Sequence, residues 1–142
     1  MRTVAVRGKE FRFAVELADA GELRQEQGVA LDVPPGWSPE HLLLAGLVRC
    51  SLKSLRYHAR RKSVGVRSAS GSGRTLVTKQ EMDDRYAMLE TEVELAVELE
   101  PEPETDALAE LLALAERDCF VGSSLTAKPH YGWTVNGRTI DS

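Results

Sequence analysis

Long apolar runs, a cationic excess and paired metal-ligand motifs are all missing from this 142-residue chain. Its longest apolar stretch, Leu42 to Val48, is far short of the roughly 20 residues needed to span a bilayer, so no membrane span is expected. The formal net charge is −4, which leaves no basic surplus for meeting phosphates, so nucleic acid is not an expected partner. Cysteine is scarce, with only Cys50 and Cys119 present. Together with His41, His58 and His130 they form no CxxC or HxxxH pair, so the short paired spacings of a zinc site are absent and no metal is expected. The first residues alternate charged and apolar character (Arg2, Val4, Val6, Arg7), unlike a signal peptide. Cytoplasmic residence is therefore the expectation, and a structural disulfide is disfavoured there.

What is present suits one globular domain over residues 1–142, since 42% of residues are hydrophobic and 28% charged. An N-terminal β portion should cover residues 1–36. Thr3 to Arg7 alternates, and Phe11, Phe13, Val15 and Leu17 recur at period two. Gly8-Lys9 and Asp19-Ala20-Gly21 read as turns, and Val29 to Val33 as a further strand ended by Pro34-Pro35-Gly36.

The remaining 37–142 portion reads as helix, strands, helix and hairpin. Ser38 is a good N-cap, Pro39 occupies the favoured first helical position, and Glu40 meets the positive end of the helix dipole. From there to about Lys62 only Gly46 interrupts good helix formers. Helical spacing puts Leu43, Gly46, Leu47, Cys50, Ser54 and Tyr57 on one face, and Leu42 to Val48 is apolar nearly all round, which predicts a long buried helix. Ser68 to Gly73 is small and polar, and reads as a loop. Arg74 to Glu81 and Tyr86 to Glu100 follow as strands, the second alternating Val93, Leu95, Val97 and Leu99 with Glu92, Glu94, Ala96, Glu98 and Glu100. A second helix is expected over Thr105 to Asp118, with Leu108, Leu111, Leu112 and Ala115 as its stripe and Cys119 one turn further. A hairpin around Asn136-Gly137 closes the chain. The order implies an α+β fold of antiparallel sheets with a long buried central helix and a second, cysteine-bearing helix.

Each cysteine thus lies on the inward side of a separate segment. A buried thiol that acts as a nucleophile needs a positive partner to offset desolvation of its thiolate, and a carboxylate can orient that cation. Glu40 is a candidate for the carboxylate; Arg7 and Arg12, on the N-terminal strands, are the available cations.

The segment from Ser38-Pro39-Glu40 through Leu42-Leu43-Leu44 to Cys50 resembles the OsmC/Ohr family of hydroperoxide reductases. That family has a Pro-Glu helix start, an apolar helix and a cysteine ten residues after the glutamate. Ala115-Glu116-Arg117-Asp118-Cys119 is similar to the family's second cysteine, and the closing hairpin is shared. Where the family commonly has Cys-Pro, this chain has Cys119-Phe120-Val121-Gly122, and the stretch before the first helix is compressed, which marks a divergent OsmC-like member.

The resemblance implies an intertwined homodimer and a thiol peroxidase that needs no cofactor. Cys50 would attack an organic hydroperoxide and become a sulfenic acid, Cys119 would condense with it to a disulfide, and an external dithiol would reduce that bond. Glu40 would hold the arginine beside the thiolate, with Arg12 fitting the family's strand order better than Arg7. An apolar approach to Cys50 would run past Leu43, Leu47, Leu111, Ala115 and Phe120. Two other readings stand beside it: the same fold as a binding protein for a lipid or small ligand, with idle cysteines, or a thioesterase-like helix on sheet.

Overall fold

The computed structural model describes residues 8–17 and 21–140, and contacts group the chain into two compact units, Met1–Ser38 and Pro39–Ser142. In the first unit, β1 (Val15–Leu17), β2 (Glu22–Gln25) and β3 (Ala30–Asp32) form an antiparallel three-stranded sheet. The strand expected over Thr3 to Arg7 lies outside the described residues, as do residues 18–20 of the expected turn. Only Val15–Leu17 of the expected Phe11–Leu17 run is paired, because its partner β2 is just four residues long. Gly21 takes φ +89°, and a Cβ there would stand 2.9 Å from the Val33 carbonyl oxygen, so glycine is required at this turn. Register places Leu17, Leu23 and Leu31 opposite one another on one face, together with Val15 and Val29 at period two.

The second unit is built on α1 (Pro39–Arg61), β4 (Gly65–Lys79), β5 (Tyr86–Glu100), α2 (Thr105–Arg117), α3 (Phe120–Ser124), β6 (His130–Val135) and β7 (Arg138–Ile140). The strands form one sheet in the order β4-β5-β6-β7. It is mixed rather than purely antiparallel: β5 and β6 run parallel, because α2 and α3 form the crossover between them. The hairpin at Asn136-Gly137 is as expected, with both residues at positive φ (51° and 79°). Asn136 also accepts from the Leu99 amide at 2.8 Å and so ties the turn to the end of β5.

β5 buries Thr91, Val93, Leu95, Val97 and Leu99, and turns its glutamates outward. Onto that inner face pack Leu47, Leu55 and Ala59 of α1, Leu108, Leu111, Leu112 and Ala115 of α2, and Trp133 and Val135 of β6. Contrary to the loop reading, Ser68 to Gly73 lies inside β4. Smallness here serves close approach instead of flexibility. A Cβ on Gly71 would fall 2.6 Å from Leu95 and 2.9 Å from Val48, and one on Gly73 would fall 3.2 Å from Val48 and 3.4 Å from Leu44. The two glycines let α1 lie against the sheet.

The buried face of α1 also differs from the expected one. Leu47, Ser51, Ser54, Leu55, His58 and Ala59 are buried, whereas Tyr57 is exposed and Cys50 only half-buried. The helix is rotated toward its polar residues because each of them finds a partner. Ser54 Oγ donates to the Ala115 carbonyl at 2.8 Å, and His58 Nε2 lies 2.7 Å from Asp118 Oδ2. Asp118 caps the C-terminal end of α2 and takes two further bonds from the Arg117 guanidinium, both at 2.9 Å.

Arg117 holds the Asp118 carboxyl below the usual carboxylate range; burial opposes this and His58 adds to it. A depressed carboxylate contributes stability that is present above its unfolded pKa and lost as pH falls through the folded value. Asp118→Asn should therefore cost about 1 kcal/mol at neutral pH, the worth of a part-exposed charged hydrogen bond. The gap from wild type should close as pH drops below about 4. Denaturant unfolding of both proteins across pH checks this, and a gap independent of pH would contradict it.

Candidate active site

The bonds from Ser54 and His58 fasten the middle of α1 to the last turn of α2, and this sets where the next residue stands. Cys119 does not extend the α2 stripe by another turn. It is the N-cap of α3, in extended conformation, and its sulfur accepts from the Gly122 amide at 3.4 Å. Its amide bonds back to the Glu116 carbonyl at 3.4 Å, and its carbonyl accepts from Ser123 at 2.9 Å. The sulfur is held from both sides and is fully buried.

Cys50 comes to the same place from α1. Cys119 is near enough to act on the Cys50 thiol, although about seventy residues separate the two in the chain. Both are free cysteines. Burial pushes the Cys50 thiol above its ordinary value; the Val121 backbone N–H pulls the other way, and Cys119 raises it further. Within this unit the thiolate of Cys50 is thus met by backbone dipoles at the start of α3.

Two residues that sequence reasoning did not single out complete the surroundings. Ser51 Oγ donates to the Leu47 carbonyl at 2.8 Å and lies 3.4 Å from both Cys119 Sγ and the Tyr131 hydroxyl. Burial, above all, pushes the Tyr131 phenol well above its ordinary value, and Cys119 and Glu116 act in the same direction. Gly122 makes room for this cluster: a Cβ there would stand 2.7 Å from the Tyr131 hydroxyl and 3.5 Å from Cys119 Sγ. One sequence signal was available for Tyr131. It alternates with Trp133 and Val135 on β6, so it points inward, and a buried tyrosine hydroxyl needs a partner. Ser51 offered none beyond following Cys50.

The other expected site residues stand as follows. Glu40 is in the first turn of α1 and exposed. Arg12 belongs to the first unit, where it pairs with Glu10 at 2.6 Å on an exposed surface. Arg7 lies outside the described residues. Of the five residues expected to line an apolar approach, Leu47, Leu111 and Ala115 are buried in the core; the helix packing consumes them. Leu43 stays half-buried and Phe120 is 61% exposed. Gly46, one turn before Cys50, opens onto space, since a Cβ there would meet nothing within 4 Å. Among the described residues no cluster of three or more His, Cys, Asp or Glu side chains is placed to hold a metal ion, and no helix is long and apolar enough to cross a membrane.

Comparison with known proteins places this arrangement in context. An OsmC-like protein of unknown function from Vibrio cholerae superposes with a TM-score of 0.71 at 15% identity, covering 89% of this chain and 99% of that one. An OsmC-like protein from Mycoplasma pneumoniae gives 0.69 at 18% identity, covering 91% and 99%. The organic hydroperoxide resistance protein OhrB of Bacillus subtilis gives 0.55 at 20% identity, covering 88% and 96%. At these identities the likeness is one of fold. No curated protein sequence matches the chain closely enough to count as a relative. The family model described as OsmC-like protein matches residues 32–133, a span that includes both cysteines, Glu40 and most of the second unit. The chain belongs to the OsmC-like protein family.

Proposed function

We propose that this protein reduces organic hydroperoxides with Cys50 as the attacking thiol and Cys119 as the resolving one. The observation that carries the reading is that Cys50 of α1 packs against the cluster that holds Cys119 at the α2–α3 junction, the first half-buried and the second fully buried. A half-exposed thiol can meet a substrate, and a buried neighbour can meet only that thiol. Relatives named for organic hydroperoxide resistance support the substrate class, and two free thiols suit a reducing compartment such as the cytoplasm.

In the first step the Cys50 thiolate attacks the terminal peroxide oxygen. The O–O bond breaks, the alkoxide leaves and takes a proton to become an alcohol, and Cys50 is left as a sulfenic acid. Cys119 then attacks the Cys50 sulfur, its own proton leaves with the sulfenic hydroxyl as water, and the disulfide forms. An outside dithiol restores both thiols by exchange. Because burial disfavours the Cys50 thiolate, the reaction calls for a cation. Arg12, oriented by Glu40, is the assignment, and it would both lower the thiol pKa and steady the departing oxygen. Cys50→Ser should abolish peroxide consumption, whereas Cys119→Ser should allow one oxidation and then stall as a trappable sulfenic acid. Arg12→Ala should move the pH dependence of Cys50 alkylation upward. Full activity in both cysteine variants would remove the mechanism.

A second copy of the chain completes the proposal. The apolar face of β1–β3 is uncovered, with Val15 66%, Leu17 71%, Val29 65% and Leu31 60% exposed, and a large apolar interface would cover it. Sedimentation should report a dimer of the 15.6 kDa chain at micromolar concentration, and a monomer there would refute this part.

Organic hydroperoxides should outperform hydrogen peroxide, because Phe120, whose backbone acts on Cys50, and Leu43, two turns before Cys50 on α1, keep apolar surface exposed. Each buried methylene contributes about 0.8 kcal/mol, so a half-buried four-carbon substituent gains roughly 1.5 kcal/mol, about tenfold in kcat/KM if it persists in the transition state. Initial rates with cumene or tert-butyl hydroperoxide against hydrogen peroxide, under one dithiol, decide the point. Parity would contradict an apolar approach, and no thiol loss with any peroxide would favour a ligand-binding role.

A further inference from the structure

The polar cluster around Cys119 has no part in the attack on peroxide. Ser51 has one hydroxyl hydrogen, and the 2.8 Å bond to the Leu47 carbonyl uses it. The same hydroxyl also points at the Tyr131 oxygen, which accepts at 3.4 Å, and lies 3.4 Å from Cys119 Sγ, where either atom can donate. Ser51 therefore leaves the Tyr131 hydrogen unused, Cys119 is itself a hydrogen-bonding neighbour of the phenol, and the Gly122 amide is already aimed at the same sulfur. Tyr131 reaches this position only because residue 122 has no side chain.

Resting on the two-cysteine reading above, we propose that Tyr131 is the hydrogen-bond donor that stabilises Cys119 as a leaving thiolate when an external dithiol opens the Cys50–Cys119 disulfide. Accessibility dictates which sulfur leaves. Cys119 is fully buried, so one thiolate of the dithiol attacks Cys50; a new S–S bond forms there, the Cys50–Cys119 bond breaks, and its electron pair goes to Cys119. A thiolate in that position is costly unless donors meet it. Among the described residues, the ionisable groups that act on Tyr131 and Cys50 are Cys119 and Glu116 on α2, neither of them a cation. Glu116 already accepts from the Trp133 indole at 2.9 Å. The donors at hand are the Gly122 amide and the Tyr131 hydroxyl, whose hydrogen is not given to Ser51. Burial keeps that phenol protonated, so it donates without giving up its proton. Cys119 then takes a proton from the second thiol of the dithiol. That sulfur attacks its partner in the mixed disulfide, closes a cyclic disulfide and releases the Cys50 thiolate.

The test forms the disulfide with diamide, so that it does not depend on peroxide chemistry, and follows its opening by dithiothreitol. Tyr131→Phe should open about tenfold more slowly than wild type, the worth of one hydrogen bond to a charged group. In a Cys50→Ser background, the ultraviolet titration of the Cys119 thiolate should move up by about one pH unit when Tyr131→Phe is added. Gly122→Ala, which displaces the same hydroxyl, should act in the same direction and takes over as the deciding variant if Tyr131→Phe does not fold. Wild-type opening rates and an unmoved titration would overturn the proposal. A wild-type protein that loses no thiols to hydroperoxide would overturn the peroxidase reading instead, while the diamide assay still judges the tyrosine.

Discussion

The seating of α1 on the last turn of α2 is the constraint on which the candidate site depends. Two side-chain bonds, Ser54 to the Ala115 carbonyl and His58 to Asp118, bring three polar side chains of the helix interface into partnership at the end of α2, where Cys119 caps a new, short helix. Buried polar groups cost little when satisfied and a great deal when not. The interface therefore has one favoured alignment, with the half-buried Cys50 facing the start of α3. An apolar seam alone would tolerate small rotations of α1, each of which would carry the sulfur away from its partner.

That alignment has a chemical cost. The same burial that sets the sulfurs together raises the Cys50 thiol above its ordinary value, so proximity and reactivity pull in opposite directions. Backbone N–H groups at the start of α3 offset part of the penalty, as a helix start does for any anion. In the proposed mechanism the rest would come from a full positive charge, the role proposed for Arg12. Cys119 solves the same problem differently, with neutral donors around a fully buried sulfur.

Packing between helix and sheet is governed by what is missing. Gly71 and Gly73 lack the Cβ atoms that would meet Val48, Leu44 and Leu95, and Gly122 lacks the one that would meet Tyr131. Interiors are dense enough that one methyl group shifts neighbours by tenths of an ångström. These glycines thus set how near α1 lies to β4 and how near the tyrosine lies to Cys119. In a one-dimensional reading, a glycine that allows close approach and a glycine that loosens a loop are the same letter, which is why Ser68 to Gly73 was read as a loop.

Much was legible in the residues alone, and for local reasons. The Ser38-Pro39-Glu40 start, the period-two alternation of β5 and the Asn136-Gly137 turn are decided by capping, pleat and backbone sterics within a few residues, and all three stand where expected. Other features belong to the tertiary structure because they depend on atoms distant in the chain. The parallel pairing of β5 and β6, the rotation of α1 toward Ser51 and His58, and the step from α2 to α3 at Cys119 follow from which partners the folded chain offers. The same holds for Leu47, Leu111 and Ala115, which face inward as expected but pack into the core instead of lining an approach to Cys50. The sequence by itself determined that one cysteine would stand on the long helix α1 and the other next to the end of α2. Only the folded chain decided that Cys50 packs against the cluster that holds Cys119, and that Ser51 meets both Cys119 and Tyr131, because those contacts join residues up to 80 positions apart.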